Sequence, residues 1–255
     1  ADLLLLHHGI FWSGLRPLTG WWKKKVQTCL AGNLAVYAAH LPLDLHPELG
    51  NNAGLARALG LRDLKPELDY HGTMIGLSGL FEGSVAELRD RYAEVTGSAV
   101  TGVVADAAAP AGRVALCSGG GGDMIYQVAE KGYGCYLTGE ENHWVRNAAQ
   151  DMGINLLFAG HYATETFGVK SLGDLLEREF GLPTFFIDLP TGMCTRLRVC
   201  SLLLRIRSAR GWISIWQRAS LSYRGPAFRR SSNPAIFCWT AKPRRRRRLW
   251  SGGCA

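Results

Sequence analysis

The seven cysteines form no CxxC pair: Cys29, Cys117 and Cys135 stand alone in the first part of the chain, and Cys194, Cys200, Cys238 and Cys254 are scattered through the last. That argues against a disulfide framework and a thiolate zinc cage, and for reduced thiols in the cytoplasm. No apolar run approaches the ~20 residues of a membrane helix. The opening ADLLLL is too short for a secretory signal and lacks its basic start and cleavage pattern. There is no GK[ST] phosphate loop and no GxGxxG followed by the acidic residue of a dinucleotide site. From residue 194 onward there is no Asp or Glu at all. An initiating Met is absent too, and the chain opens inside an apolar run, so a native N-terminal part is expected to precede it.

What is present divides into two regions. Of 29 basic residues, 15 lie in 194–255, leaving 14 against all 21 acidic ones in 1–193. The body is therefore acidic and the tail strongly basic. The body alternates apolar runs, such as LLLL at 3–6, RVALCSG at 113–119 and INLLFAG at 154–160, with helical patterns. The clearest helix is SVAELRDRYAEVTG at 84–97, where Ser84 and Glu87 make a capping box and Gly97 a stop. This alternation predicts an α/β body with sheets covered by helices over residues 1–193. The tail, 194–255, shows no sustained period and ends in PRRRRRLW. It reads as an unstructured Arg-rich extension, the product of a frameshift or a read-through, able to hold nucleic acid only nonspecifically.

Three polar clusters follow apolar runs, where α/β proteins place their ligands. They are His7-His8-Gly9, His40-Leu41-Pro42-Leu43-Asp44, and Gly160-His161-Tyr162-Ala163-Thr164-Glu165. Singly each is a weak signal. Together they offer imidazole and carboxylate donors that suit Zn, Mn, Fe or Ni. His161 and Glu165 are four apart, so one helical face presents both. Neighbouring His7 and His8 would point apart in an extended strand, which favours two metals with one histidine each.

In order, HHGIFW, HLPLDLHPELGNN, CSGGGGDMI, YLTGE, FAGHYATETFGVK and FIDLPTG resemble the GTP cyclohydrolase type 2 homologue family, also described as dinuclear-metal-centre proteins. The resemblance covers residues 1–193. It implies an α/β fold of two similar lobes and a toroidal homohexamer. It also implies two divalent ions held by His7, His8, Asp44, His161 and Glu165, with His40 in the outer shell or pocket. Members carry several tens of residues ahead of HHG, and the tail has no counterpart in them.

Other features have two readings. CSGGGG at 117–122 is a tight strand-to-helix turn or an anion contact. Glu140, with Glu141, is an acid/base candidate beside His40, or a solvated helix start. Trp12 and Tyr162 stack on a planar substrate or pack in the core. The leading expectation is a cytoplasmic metal-dependent hydrolase acting on a small nucleotide or purine-type compound; the alternative is a non-catalytic metal-binding ring or scaffold.

Overall fold

The computed structural model describes residues 1–12 and 14–191 in full, with the backbone of three short strands beyond them. The elements, in chain order, are β1 (Leu3–Leu6), α1 (Gly20–Ala31), β2 (Ala35–Ala38), α2 (Leu41–Asp44), α3 (Asn51–Leu59), β3 (Arg62–Tyr70), β4 (Thr73–Ser84) and α4 (Val85–Thr96). There follow β5 (Thr101–Val103), β6 (Pro110–Cys117), α5 (Ile125–Glu130), β7 (Cys135–Thr138), α6 (His143–Met152), β8 (Asn155–Phe158), α7 (His161–Thr164), α8 (Thr166–Phe180) and β9 (Thr184–Ile187). The expected α/β alternation is present.

A six-stranded sheet runs β3-β4-β6-β7-β8-β5. Its centre, β6-β7-β8, is parallel. The remaining pairs are antiparallel. Its parallel strands β6, β7 and β8 are mostly apolar because both faces are covered. Val114, Leu116, Leu137 and Leu157 pack with Leu55, Leu59, Leu88 and Tyr92 of α3 and α4. Their neighbours Ala115, Cys117, Tyr136, Leu156 and Phe158 pack with Ile125, Val128, Val145 and Ala149 of α5 and α6. This is period two with both faces buried, and each fully buried large side chain contributes roughly 1.5–3 kcal/mol of transfer free energy. At the start of α4, Ser84 Oγ accepts from the Glu87 amide and Glu87 returns the bond to the Ser84 amide, the box read from the sequence; Gly97 ends the helix in the left-handed conformation.

β3 is not predicted by the sequence. Its RDLKPELDY contains a proline and alternates charges. It forms because it is an edge strand, where proline and charge are tolerated and discourage further pairing; a register shift lies between Arg62 and Lys65.

A second sheet runs β2-β1-β12-β9, where β12 is Ile236–Trp239. β1 and β2 are parallel, and β12 is antiparallel to both β1 and β9. β10 (Leu204–Ser208) and β11 (Gly211–Ile215) pair as an antiparallel ladder. Three short stretches of the tail, rich in β-forming residue types, thus take extended pairings, and the rest of the tail, on which most of the expectation for 194–255 falls, lies outside the described residues. Leu5, Leu43 and Val169 form the small core joining this sheet to α2 and α8. Among the described residues no helix is long and apolar enough to cross a membrane.

Candidate metal centre

β1 and β2 point the same way, and so do β6, β7 and β8. The C-terminal ends of both parallel sets meet, and the polar clusters of the sequence lie there. β1 stops at Leu6, so His7 and His8 sit in a bend beyond it. They escape the opposed geometry of a regular strand, and their ring centroids are 4.8 Å apart. His7 is fully buried and its Nδ1 donates to the Ala39 carbonyl at 2.9 Å. That bond sets the tautomer and turns Nε2 into the site.

Two triads of donor atoms result, His7–Asp44–Glu165 and His8–His161–Glu165, each with its atoms within 4.8 Å of one another. Glu165 belongs to both. Its Oε1 lies 3.6 Å from His7 Nε2, and its Oε2 lies 3.5 Å from His8 Nε2 and 3.0 Å from His161 Nε2. Asp44 Oδ2 lies 3.3 Å from His7 Nε2. Glu165 lies at the break between α7 and α8. The break places the carboxylate at the junction, and His161 four residues earlier reaches the same point.

Despite the nearby carboxylates, His7 Nε2 and His161 Nε2 are buried without an aligned hydrogen bond. Two orphaned imidazole nitrogens and two buried carboxylates converging on one space could hold a metal ion. Without one, burial lowers the His7 pKa, but Asp44 and Glu165 outweigh it and raise it to about 10. At His161 burial is likewise outweighed, by Glu140 and Glu165, giving about 10. His8 is pushed down to about 4 by burial, against the pull of Glu165. Glu165 stays ionised: burial raises it, and the facing imidazoles of His161 and His7 lower it well below the usual carboxylate range. The cluster holds positive charge on its own imidazoles where a cation would otherwise supply it.

A surrounding shell fixes these donors. Asp44 Oδ1 accepts from Asn51 Nδ2 at 2.8 Å and from Ser118 Oγ at 3.3 Å. Asn51 Oδ1 accepts the Gly168 amide at 2.6 Å, tying α3 to α8. Asn52 accepts the Ser118 amide and donates to the Ile75 carbonyl, both at 2.7 Å. In the sequence this Asn pair lies inside HLPLDLHPELGNN with no ligand spacing of its own. The one available signal is two adjacent amides opening an apolar helix.

The glycine loop after β6 is also part of this shell. The Gly119 amide donates to Thr164 Oγ1 at 3.0 Å, and its carbonyl accepts the Gly139 and Glu140 amides at 2.9 Å. Gly119 has φ +64°, and any Cβ there would overlap Glu165 Oε1. The loop is glycine because the carboxylate packs directly on its backbone. Glu140 lies beside it and accepts from His161 Nδ1 at 3.0 Å. His40 lies on the open side of His7 and His8, with ring centroids 5.0 and 4.9 Å away. Its donor nitrogen forms a third triad with those of His7 and His8. Trp12 stands over both rings, 4.4 Å from His8 and 4.1 Å from His40, and is about half exposed.

The family model described as "Duf34/NIF3 (NGG1p interacting factor 3)" matches residues 1–191. A protein of Deinococcus radiodurans named GTP cyclohydrolase 1 type 2 homolog is 43% identical over 195 residues, 76% of this chain and 74% of its own length. One of the same name from Pyrococcus abyssi is 39% identical, over 76% of this chain and 78% of its own. Among solved structures, protein ybgI, of unknown function, superposes with a TM-score of 0.67 at 34% identity, covering 75% of this chain and 76% of that one. TTHA1606 of Thermus thermophilus superposes with a TM-score of 0.60 at 39% identity over 75% and 76% of the two chains. The stretch that carries every donor of the candidate metal centre is the stretch matched, and the chain belongs to the DUF34/NIF3 family.

Proposed function

We propose that this chain is a dinuclear metal-dependent hydrolase acting on a nucleotide or purine-type compound. The observation that carries the reading is the sharing of Glu165 between two triads whose His7 and His161 nitrogens lack hydrogen bonds. One ion would take His7, Asp44 and Glu165, the other His8, His161 and Glu165. Nitrogen and oxygen donors without thiolate suit Zn, Mn, Fe or Ni. Such a pair, when bound, lowers the pKa of a water and polarises the group under attack.

The remaining residues bind and move protons. Burial lowers the His40 pKa, so its imidazole is neutral at pH 7 and can accept a proton at the half-buried edge of the site. Glu140 holds the His161 proton at Nδ1 and is the carboxylate through which that proton is shared with solvent. Trp12, with Gly9, Ile10, Phe11, Val36 and Ala38, lines a cavity of about 390 Å³ whose aromatic wall suits a planar heterocycle. The name borne by the Deinococcus and Pyrococcus relatives is consistent with hydrolysis of a guanine nucleotide. The same reading includes assembly into a hexameric ring and a cytoplasmic location.

The test is turnover of a panel of purine nucleotides and phosphoesters by protein loaded with Mn or Zn. Hydrolysis that disappears with chelator and in His161→Ala supports the proposal. Full metal loading with no turnover across the panel would favour the scaffold reading.

A further inference from the structure

A second cavity, of about 270 Å³, lies behind the α7–α8 turn. His161 and Glu165 leave that turn toward the metal centre; Tyr162, Thr166 and Lys170 line the other cavity. Thr96 and Ser98 from the end of α4 and Asp188 after β9 complete its wall. Lys170 is its distinctive group. Its Nζ donates to Thr166 Oγ1 at 3.3 Å and rests 4.5 Å from the centroid of Phe186. No ion pair joins it to a carboxylate among the described residues. An ammonium carries three donors, and Lys170, exposed at the rim of the cavity and bonded to Thr166 Oγ1, has donors left to meet an anion there. Burial lowers the pKa of Lys170, against the weaker pull of Asp188. Asp188 is positioned firmly: Tyr162 Oη donates to its Oδ1 at 2.6 Å and accepts the Leu189 amide at 2.8 Å. The cavity thus offers a cation at one wall, an anion at another and hydroxyls between.

We infer that this cavity binds a small hydroxylated organic anion, its phosphate or carboxylate on Lys170 and a hydroxyl donating to Asp188. Asp188 repels a bare multivalent anion, and the cavity has room for more than the anionic group. The site is independent of the metal chemistry proposed above, so each can fail alone.

The experiment is calorimetric titration of the full chain with inorganic phosphate, glycerol 3-phosphate and glycerate, as purified and after chelation. Glycerol 3-phosphate against glycerate decides which anionic group is preferred; saturable binding of either, tighter than inorganic phosphate, is expected. Lys170→Met should weaken it at least about tenfold, as expected for loss of a charged hydrogen bond. Lys170→Gln should do the same, covering any repacking of Met on Phe186, and Lys170→Arg should restore most of the affinity. Asp188→Asn should weaken the two hydroxylated probes and strengthen inorganic phosphate. Binding that vanishes on chelation, that is unchanged in both Lys170→Met and Lys170→Gln, or that is missing for all three probes into the millimolar range would overturn the inference.

Discussion

Glu140 and Glu165 face opposite nitrogens of one imidazole, that of His161, at 3.0 Å each, and only Glu140 accepts a hydrogen bond from it. A carboxylate behind a metal-ligating histidine fixes its tautomer and raises its basicity. Glu140→Gln should therefore lower metal affinity about ten- to a hundredfold without unfolding the chain, as read by competition with a chromophoric chelator; unchanged affinity would remove Glu140 from the site. The same imidazoles set a pH dependence. With their pKa values raised to about 10, His7 and His161 are protonated at pH 7 in the metal-free protein, while His8, at about 4, is not. Metal must displace those two protons, so affinity rises as pH rises from 7 toward 10. Calorimetry at pH 7 in buffers of different ionisation enthalpy should show release of about two protons per chain. Most donors are legible in the sequence because each follows an apolar run. Asn51, Asn52 and Ser118 are not, because their partners are brought together only by the packing of α3 on α8 and on the glycine loop.

Among the elements, the loop after β6 shows how closely backbone and ligand are fitted. Gly119→Ala places a methyl against Glu165 Oε1 at a backbone φ of +64° that alanine adopts with strain. It should abolish metal binding at both triads together, since they share that carboxylate, and lower the melting temperature by a few degrees; loss at one triad alone would contradict a shared Glu165. The central strands β6, β7 and β8 are readable as apolar runs because both their faces are buried. β3 is not, since an edge strand tolerates the proline and alternating charge that argue against a strand elsewhere. The break between α7 and α8 is hidden for a different reason. TETFGVKSLGDLLEREFG at 164–181 is realised as the unbroken α8, and the four-residue α7 before it is too short to show a period.

At the level of the whole molecule, two sheets direct the C-terminal ends of their parallel strands at one centre, and the family match covers both up to residue 191. The basic region beyond has 15 cationic residues and no acidic one, so self-repulsion opposes its compaction. Limited trypsin digestion at moderate salt should cleave first within 194–255, at arginines outside the paired strands; equal resistance of the two regions would contradict this. The central claim is that Glu165 bridges two ions. Anomalous diffraction at the metal edges, on crystals of the metal-loaded chain, tests it most directly. Two peaks about 3.5–4 Å apart, each about 2.0–2.2 Å from its own Glu165 oxygen if the metal is zinc, with His7 and Asp44 on one and His8 and His161 on the other, are the predicted result. A single peak, or ions held away from Glu165, would contradict it.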